Sequence, residues 1–149
     1  MAAPLALPQA VLFACNFNCV RSVMAEGLVK RRFSKRIWVE SVGVRAGEGV
    51  DPFVVVVMDE LGVDVTRHRP RRFVDLEDST FDLIVSLTPE AHHQALEFTR
   101  TYAVEVEYWP TFDPTLASGS RDQMLDAYRV VRDGLDKRIA ERFQEASTP

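Results

Sequence analysis

Apolar and polar positions fall into blocks along this chain, and the blocks switch repeatedly between strand-like and helix-like spacing. Val11 to Ala14 is an uninterrupted apolar run, the pattern of a strand covered on both faces. Helical spacing follows over Arg21 to Arg32, where Val23, Met24, Ala25, Leu28 and Val29 share one side. Ile37 to Val44 is rich in β-branched and aromatic residues and reads as a second strand. Signals conflict in the next block. Val54 to Val57 favours strand by propensity, yet Asp51-Pro52 offers an N-cap with proline at the first helical position, and Gly62 offers a stop. Phe53, Val56, Val57, Glu60 and Leu61 keep helical spacing, so the caps decide for a helix. Phe81 to Leu87 reads as strand three, Pro89 to Phe98 as a helix capped by Thr88, and Val104 to Trp109 as strand four. Ser120 to Phe143 reads as a long final helix whose Met124, Tyr128, Val131, Leu135, Ile139 and Phe143 form one apolar stripe.

Alternating β and α blocks imply a parallel sheet with helices on both faces. Right-handed crossovers then place a ligand at the carboxyl ends of the strands. Cys15 ends the first strand and Asp113 follows the last, so both fall on that rim. At 149 residues the chain is expected to form one domain, with no internal repeat, low-complexity stretch or linker.

The chemistry concentrates in Cys15-Asn16-Phe17-Asn18-Cys19-Val20-Arg21-Ser22, between the first strand and the first helix. Strand, tight loop and helix N-terminus are the parts of an anion cradle, because successive N–H groups point inward and the helix dipole favours negative charge. The field that holds an oxyanion also favours a thiolate over a thiol at the mouth of the loop. Arg21 brings a planar fork of donors that matches two oxygens of a phosphate. The bland alternative is that Cys15 is a small buried hydrophobe.

Written as Cys-x-x-Asn-x-x-Arg-Ser, the loop resembles that of the low molecular weight protein tyrosine phosphatases and of the arsenate reductases built on the same fold. The late Trp109-Pro110-Thr111-Phe112-Asp113-Pro114 matches that family's Asp-Pro pair, and the likeness runs from about Gln9 to Phe143. The resemblance implies an α/β fold of three layers, α/β/α, with a four-stranded parallel sheet in the order 2-1-3-4, of the flavodoxin-like, phosphotyrosine phosphatase I-like kind. It implies that Cys15 attacks phosphorus, that Arg21 and the loop residues Asn16, Phe17, Asn18, Cys19, Val20 and Ser22 bind the phosphate, and that Asp113 is the general acid and then the base. Ser22 would donate to the Cys15 sulfur, and Asn18 would be held by Ser41 and His68. The substrate implied is a phosphorylated protein or small aryl phosphate, with phosphate or sulfate ion as simple ligands and no cofactor. Two departures stand out: Phe17 where the family usually has glycine, and Thr115 and Leu116 where it usually has aromatic walls. Phe17, Trp109 and Phe112 are the substitute walls the chain offers. Arsenate reduction with an external thiol, and a phosphate-binding module with little turnover, are the rival readings.

Charge and cysteine usage narrow the setting. A net charge of −4 argues against nucleic acid as the main partner. No apolar run approaches membrane-spanning length, and the proline-broken Ala2 to Ala14 lacks a basic start, so it reads as a leader plus first strand and the expected compartment is the cytoplasm. Cys15 and Cys19 are the only cysteines, which is no disulfide framework; they either pair on oxidation as a switch, or Cys19 packs beneath the loop. His68, His92 and His93 have no zinc-ligand spacing with them, so no metal is expected. His92 and His93 read as exposed helix residues. Arg67, His68, Arg69, Arg71 and Arg72 form a basic cluster that is either a solvated face or a steering patch for phosphorylated substrates, and Arg45 is a candidate for the pocket mouth. Ser147 to Pro149 reads as a frayed tail.

Overall fold

The computed structural model describes residues 7–77, 80–100 and 103–144; the first six residues of the expected leader and the Ser147–Pro149 tail lie outside them. Strands β1 (Ala10–Cys15), β2 (Trp38–Gly43), β3 (Leu83–Ser86) and β4 (Glu105–Tyr108) form one parallel sheet in the order β2-β1-β3-β4. The crossovers carry helices α1 (Arg21–Phe33), α2 (Pro52–Asp59) and α3 (Pro89–Phe98), and α4 (Arg121–Arg142) closes the described chain. This is the three-layer α/β/α arrangement with the 2-1-3-4 order. None of the helices among the described residues is long and apolar enough to cross a membrane.

The pleat of β1 sorts the layers, since successive side chains point to opposite faces. Val11, Phe13 and Cys15 enter the core shared with α1, α2 and α4, while Leu12 and Ala14 enter the core shared with α3. Ala91 and Ala95 are the buried residues of α3, and their small size brings that helix close to the sheet.

The valine run of α2 shows why the caps win. Asp51 Oδ1 accepts the Phe53 N–H at 2.8 Å, Pro52 opens the helix, and Gly62 takes a left-handed φ of 75° just past its end. A valine costs roughly 0.5 kcal/mol of helix propensity against alanine. Burying the side chain returns about 1.5 kcal/mol or more. The buried face is Val54, Val57 and Met58; of Phe53, Val56, Val57, Glu60 and Leu61, the positions at helical spacing, only Val57 is buried.

Two further expectations are shifted. On α4 the inward position is Leu125, with Met124 half-buried, so the stripe runs Leu125, Tyr128, Val131, Leu135, Ile139 and Phe143. Strand three is shorter than Phe81 to Leu87. Before it, the Asp82 carboxylate turns to accept the N–H groups of Gln9 and Ala10 at 2.9 and 2.7 Å, tying down the start of β1.

Candidate active site

Parallel pairing of β1 with β2 runs as far as Cys15 opposite Gly43, and the chain then turns over the sheet edge into α1. Gly43 permits that turn. A Cβ there would sit 2.8 Å from both the Phe17 carbonyl carbon and the Asn18 nitrogen and would also strike the Arg45 carbonyl. The loop's own carbonyls face outward. Those of Cys15, Asn16, Phe17 and Cys19 accept the N–H groups of Val44, Arg45, Gly47 and Asp51 at 2.9, 2.8, 3.0 and 3.2 Å. The N–H groups of residues 16–20 have no protein acceptor among the described residues. A run of free N–H groups against the start of α1 is a site built for an oxyanion.

Asn18 fixes the loop from inside. It is fully buried and left-handed, with φ 58°, a conformation asparagine tolerates better than most residues. Its Nδ2 donates to Ser22 Oγ at 2.8 Å and Ser41 Oγ at 2.9 Å. Its Oδ1 accepts from the Arg71 N–H at 3.0 Å and lies 2.9 Å from His68 Nε2. Counting hydrogens then orients the whole network. Ser41 gives its single hydrogen to Glu26 Oε1 at 2.7 Å. Because Asn18 Oδ1 can only accept, His68 carries its hydrogen on Nε2. Ser22 Oγ accepts the Asn18 donor and lies 2.9 Å from Cys15 Sγ, close enough for a hydrogen bond between hydroxyl and sulfur.

Burial pushes the His68 imidazole below its ordinary range, opposed by the Glu26 carboxylate and reinforced by Arg71 and Lys30. The folded protein therefore binds this proton less readily than the unfolded chain. Stability contributed here is complete above the unfolded value near 6.5 and is lost as pH falls below it. Thermal melts are expected to show a decline below that pH which is absent in His68→Gln; an unchanged decline would assign it to other groups.

Arg21 is buried, and its Nη1 donates to the Thr111 carbonyl at 3.1 Å. Its Nη2 lies 3.8 Å from Asp113 Oδ2. The other oxygen, Oδ1, caps the one-turn helix Pro114–Leu116 by accepting from Thr115 N–H and Oγ1 at 3.0 and 2.6 Å. Cys15 thus meets Ser22, and the adjacent Arg21 meets Asp113 through Oδ2, the carboxyl oxygen that Thr115 does not use. Val20 supplies only backbone: it precedes α1 without a side-chain cap, and its carbonyl accepts from Met24 at 3.0 Å.

Of the three aromatic candidates for substitute walls, two are exposed. Phe17, within the loop, is 54% exposed, and Phe112, next to Asp113, is 61% exposed. Phe17 keeps an ordinary negative φ, so it turns outward without straining the loop. Trp109 is only 2% exposed and packs edge-on against Phe13, which removes it as a wall. Cys19 points its Sγ at the Phe17 carbonyl, 3.3 Å away, and covers Gly47, where a Cβ would collide with it. Both cysteines are free, and burial pushes the Cys19 thiol above its ordinary range.

His92 departs from the exposed reading. It is half-buried, with Nδ1 2.8 Å from Ser86 Oγ and its ring stacked on Tyr108, while His93 is exposed. Three supports were not read from the sequence at all. Glu26 anchors Ser41, the Arg71 backbone holds Asn18, and Thr88, expected only as a cap, also donates to Asn16 Oδ1 at 2.7 Å. Only Glu26 had a signal: it lies one helical turn after Ser22, facing the same way.

A family model described as "Low molecular weight phosphotyrosine protein phosphatase" matches residues 10–147. The chain is 31% identical over 135 residues to an arsenate reductase of Bacillus subtilis, covering 88% of this chain and 92% of that one. It is 32% identical over 149 residues to a low molecular weight protein-tyrosine-phosphatase of Streptomyces coelicolor, covering 93% and 88%. A solved structure of an arsenate reductase in the phosphate binding state superposes with a TM-score of 0.69 at 26% identity, covering 89% of this chain and 95% of the other.

Proposed function

The chain belongs to the low molecular weight phosphotyrosine protein phosphatase family, and we propose that it is a phosphomonoesterase acting through a phosphocysteine. One observation carries this reading: Asp113 Oδ2 lies 3.8 Å from Nη2 of Arg21, the residue that opens α1 at the end of the loop begun by Cys15. An acid at that place serves a leaving oxygen that needs a proton. In the first step the Cys15 sulfur bonds to phosphorus, the ester P–O bond breaks, and Asp113 protonates the departing oxygen. In the second step water attacks phosphorus and gives its proton to Asp113. The P–S bond breaks, and Ser22 O–H steadies the returning thiolate. Arg21 and the free N–H groups of the loop meet the equatorial oxygens as their charge grows, without reorganising. Exposed Phe17 and Phe112 favour an aryl leaving group, so phosphotyrosine or a small aryl phosphate is the proposed substrate class. A thiol nucleophile must stay reduced, which fits a cytoplasmic setting.

The second reading is arsenate reduction, favoured by the B. subtilis relative's name. There Cys15 would bond to arsenic with loss of water. An external thiol would then attack the sulfur, leaving a mixed disulfide while the S–As pair of electrons reduces arsenic(V) to arsenic(III). A purely internal relay would need more thiols than this chain's two cysteines provide. The test is acid quenching of the reduced enzyme during turnover of phenyl phosphate, followed by mass spectrometry of the Cys15 peptide. A phosphorylated Cys15 with steady phosphate release is the expected result. Phosphate that binds without being released, together with thiol-dependent arsenite formation, would hand the site to the second reading.

A further inference from the structure

The chemistry above leaves the basic cluster unexplained. Arg71 and Arg72 are engaged by Glu40 at 2.9 Å and Asp75 at 3.3 Å. Arg67 and Arg69 are exposed and make no ion pair among the described residues. Both line a groove of about 1030 Å³ that also takes in parts of α1 and β2, which places these cations away from the mouth of the phosphate loop. Lys35, just beyond α1, is a third exposed cation in the lining without an ion pair among the described residues. The lining holds five Lys and Arg side chains against three carboxylates, on a chain whose net charge is −4. Two of those carboxylates, Glu26 and Glu40, are already paired with Lys30 and Arg71, and the third, Asp64, feels the charge of Arg67 without a close ion pair, which leaves Lys35 and Arg69 the least compensated.

We propose that this groove docks an acidic, extended polypeptide segment of a partner protein. The unpaired cations sit on separate pieces of chain, after α1 and in the α2–β3 connection, so they match a row of carboxylates spaced along a strand better than one compact anion. Between them the lining is apolar, through Val23, Ile37, Val39 and Val65, and Trp38 stands 63% exposed as a platform for apolar side chains of the segment. β2 is an edge strand whose outer side is paired only at Gly43–Arg72 among the described residues, and an edge of that kind accepts an added extended chain. Complementary charge supplies the selectivity and salt sensitivity of such a contact.

The probe is an unstructured peptide of alternating glutamate and leucine, titrated while Trp38 fluorescence is followed, with Trp38→Phe as the blank. Saturable binding at low salt is expected, weakened at high salt and weakened about tenfold or more in the combined variant Lys35→Glu, Arg67→Glu, Arg69→Glu. That variant touches nothing in the phosphate loop. Circular dichroism and aryl phosphate turnover equal to wild type would show an intact fold, and the binding readout stands even if no hydrolysis occurs. Equal binding by wild type and variant, no binding by either, or full displacement of the peptide by inorganic phosphate would each overturn the proposal, the last by making the groove a small-anion site.

Discussion

Asp113→Asn is expected to slow turnover of phenyl phosphate by about 10²- to 10⁴-fold, the span over which a positioned proton donor acts. The substitution isolates the proton. Asparagine keeps a side-chain oxygen for Thr115, so the cap on Pro114–Leu116 survives and with it the path of the loop. What is lost is the oxygen facing Arg21, the one placed to give up a proton and later to receive one. The deficit should shrink when phenol is replaced by a far more acidic leaving group, because that oxygen departs without help. Hydrolysis of the intermediate loses its base as well, so phosphorylated Cys15 should accumulate in the variant. Cys15→Ser in the same assay is expected to abolish turnover. A deficit in kcat/KM, which reports formation of the intermediate alone, that is independent of the leaving group would place the acid elsewhere.

Much of this was legible in the sequence because it is local. Asp51-Pro52 against a valine run and Thr88 before Pro89 are start signals read over a few residues, and each one caps a helix. The rim position of Cys15 and Asp113 follows from alternation alone, since every parallel strand ends on the same side. Phase within a helix was harder. The long stripe on α4 was read one residue off at its start, where Met124 and Leu125 are both apolar and only packing chooses between them. Trp109 and His92 failed for a related reason. Neither ring says from its type whether it faces solvent, and here Phe13 and Ser86 decide. Least legible was the support behind the loop. Glu26, Ser41 and the His68–Arg71 connection are three separate stretches of chain; the family resemblance pointed to Ser41 and His68, while Glu26 and the Arg71 backbone become neighbours only in the fold.

That support is what Asn18→Ala is expected to remove. The change deletes two donated and two accepted hydrogen bonds, all between 2.8 and 3.0 Å, in a position with no access to water. The His68 and Arg71 N–H groups are left without their acceptor, and an unsatisfied buried donor costs about 1–3 kcal/mol. Alanine also adds the strain of a left-handed residue, about 1–2 kcal/mol. Part of this relaxes, so a net loss of roughly 3–5 kcal/mol is expected, a fall in Tm on the order of 10 °C for a chain of this size. Asn18→Gly loses the same hydrogen bonds without the backbone strain. It should therefore melt above the alanine variant, and the gap measures the strain less the extra unfolded-chain entropy of glycine. Both variants free the Ser22 hydroxyl to turn away from the sulfur, so hydrolysis of the phosphocysteine, where the thiolate must leave, should slow more than its formation. An alanine variant that melts within about 0.5 kcal/mol of wild type, with both steps at wild-type rates, would mean that the loop holds its shape through its outward carbonyls and the crossing at Gly43 without help from Asn18.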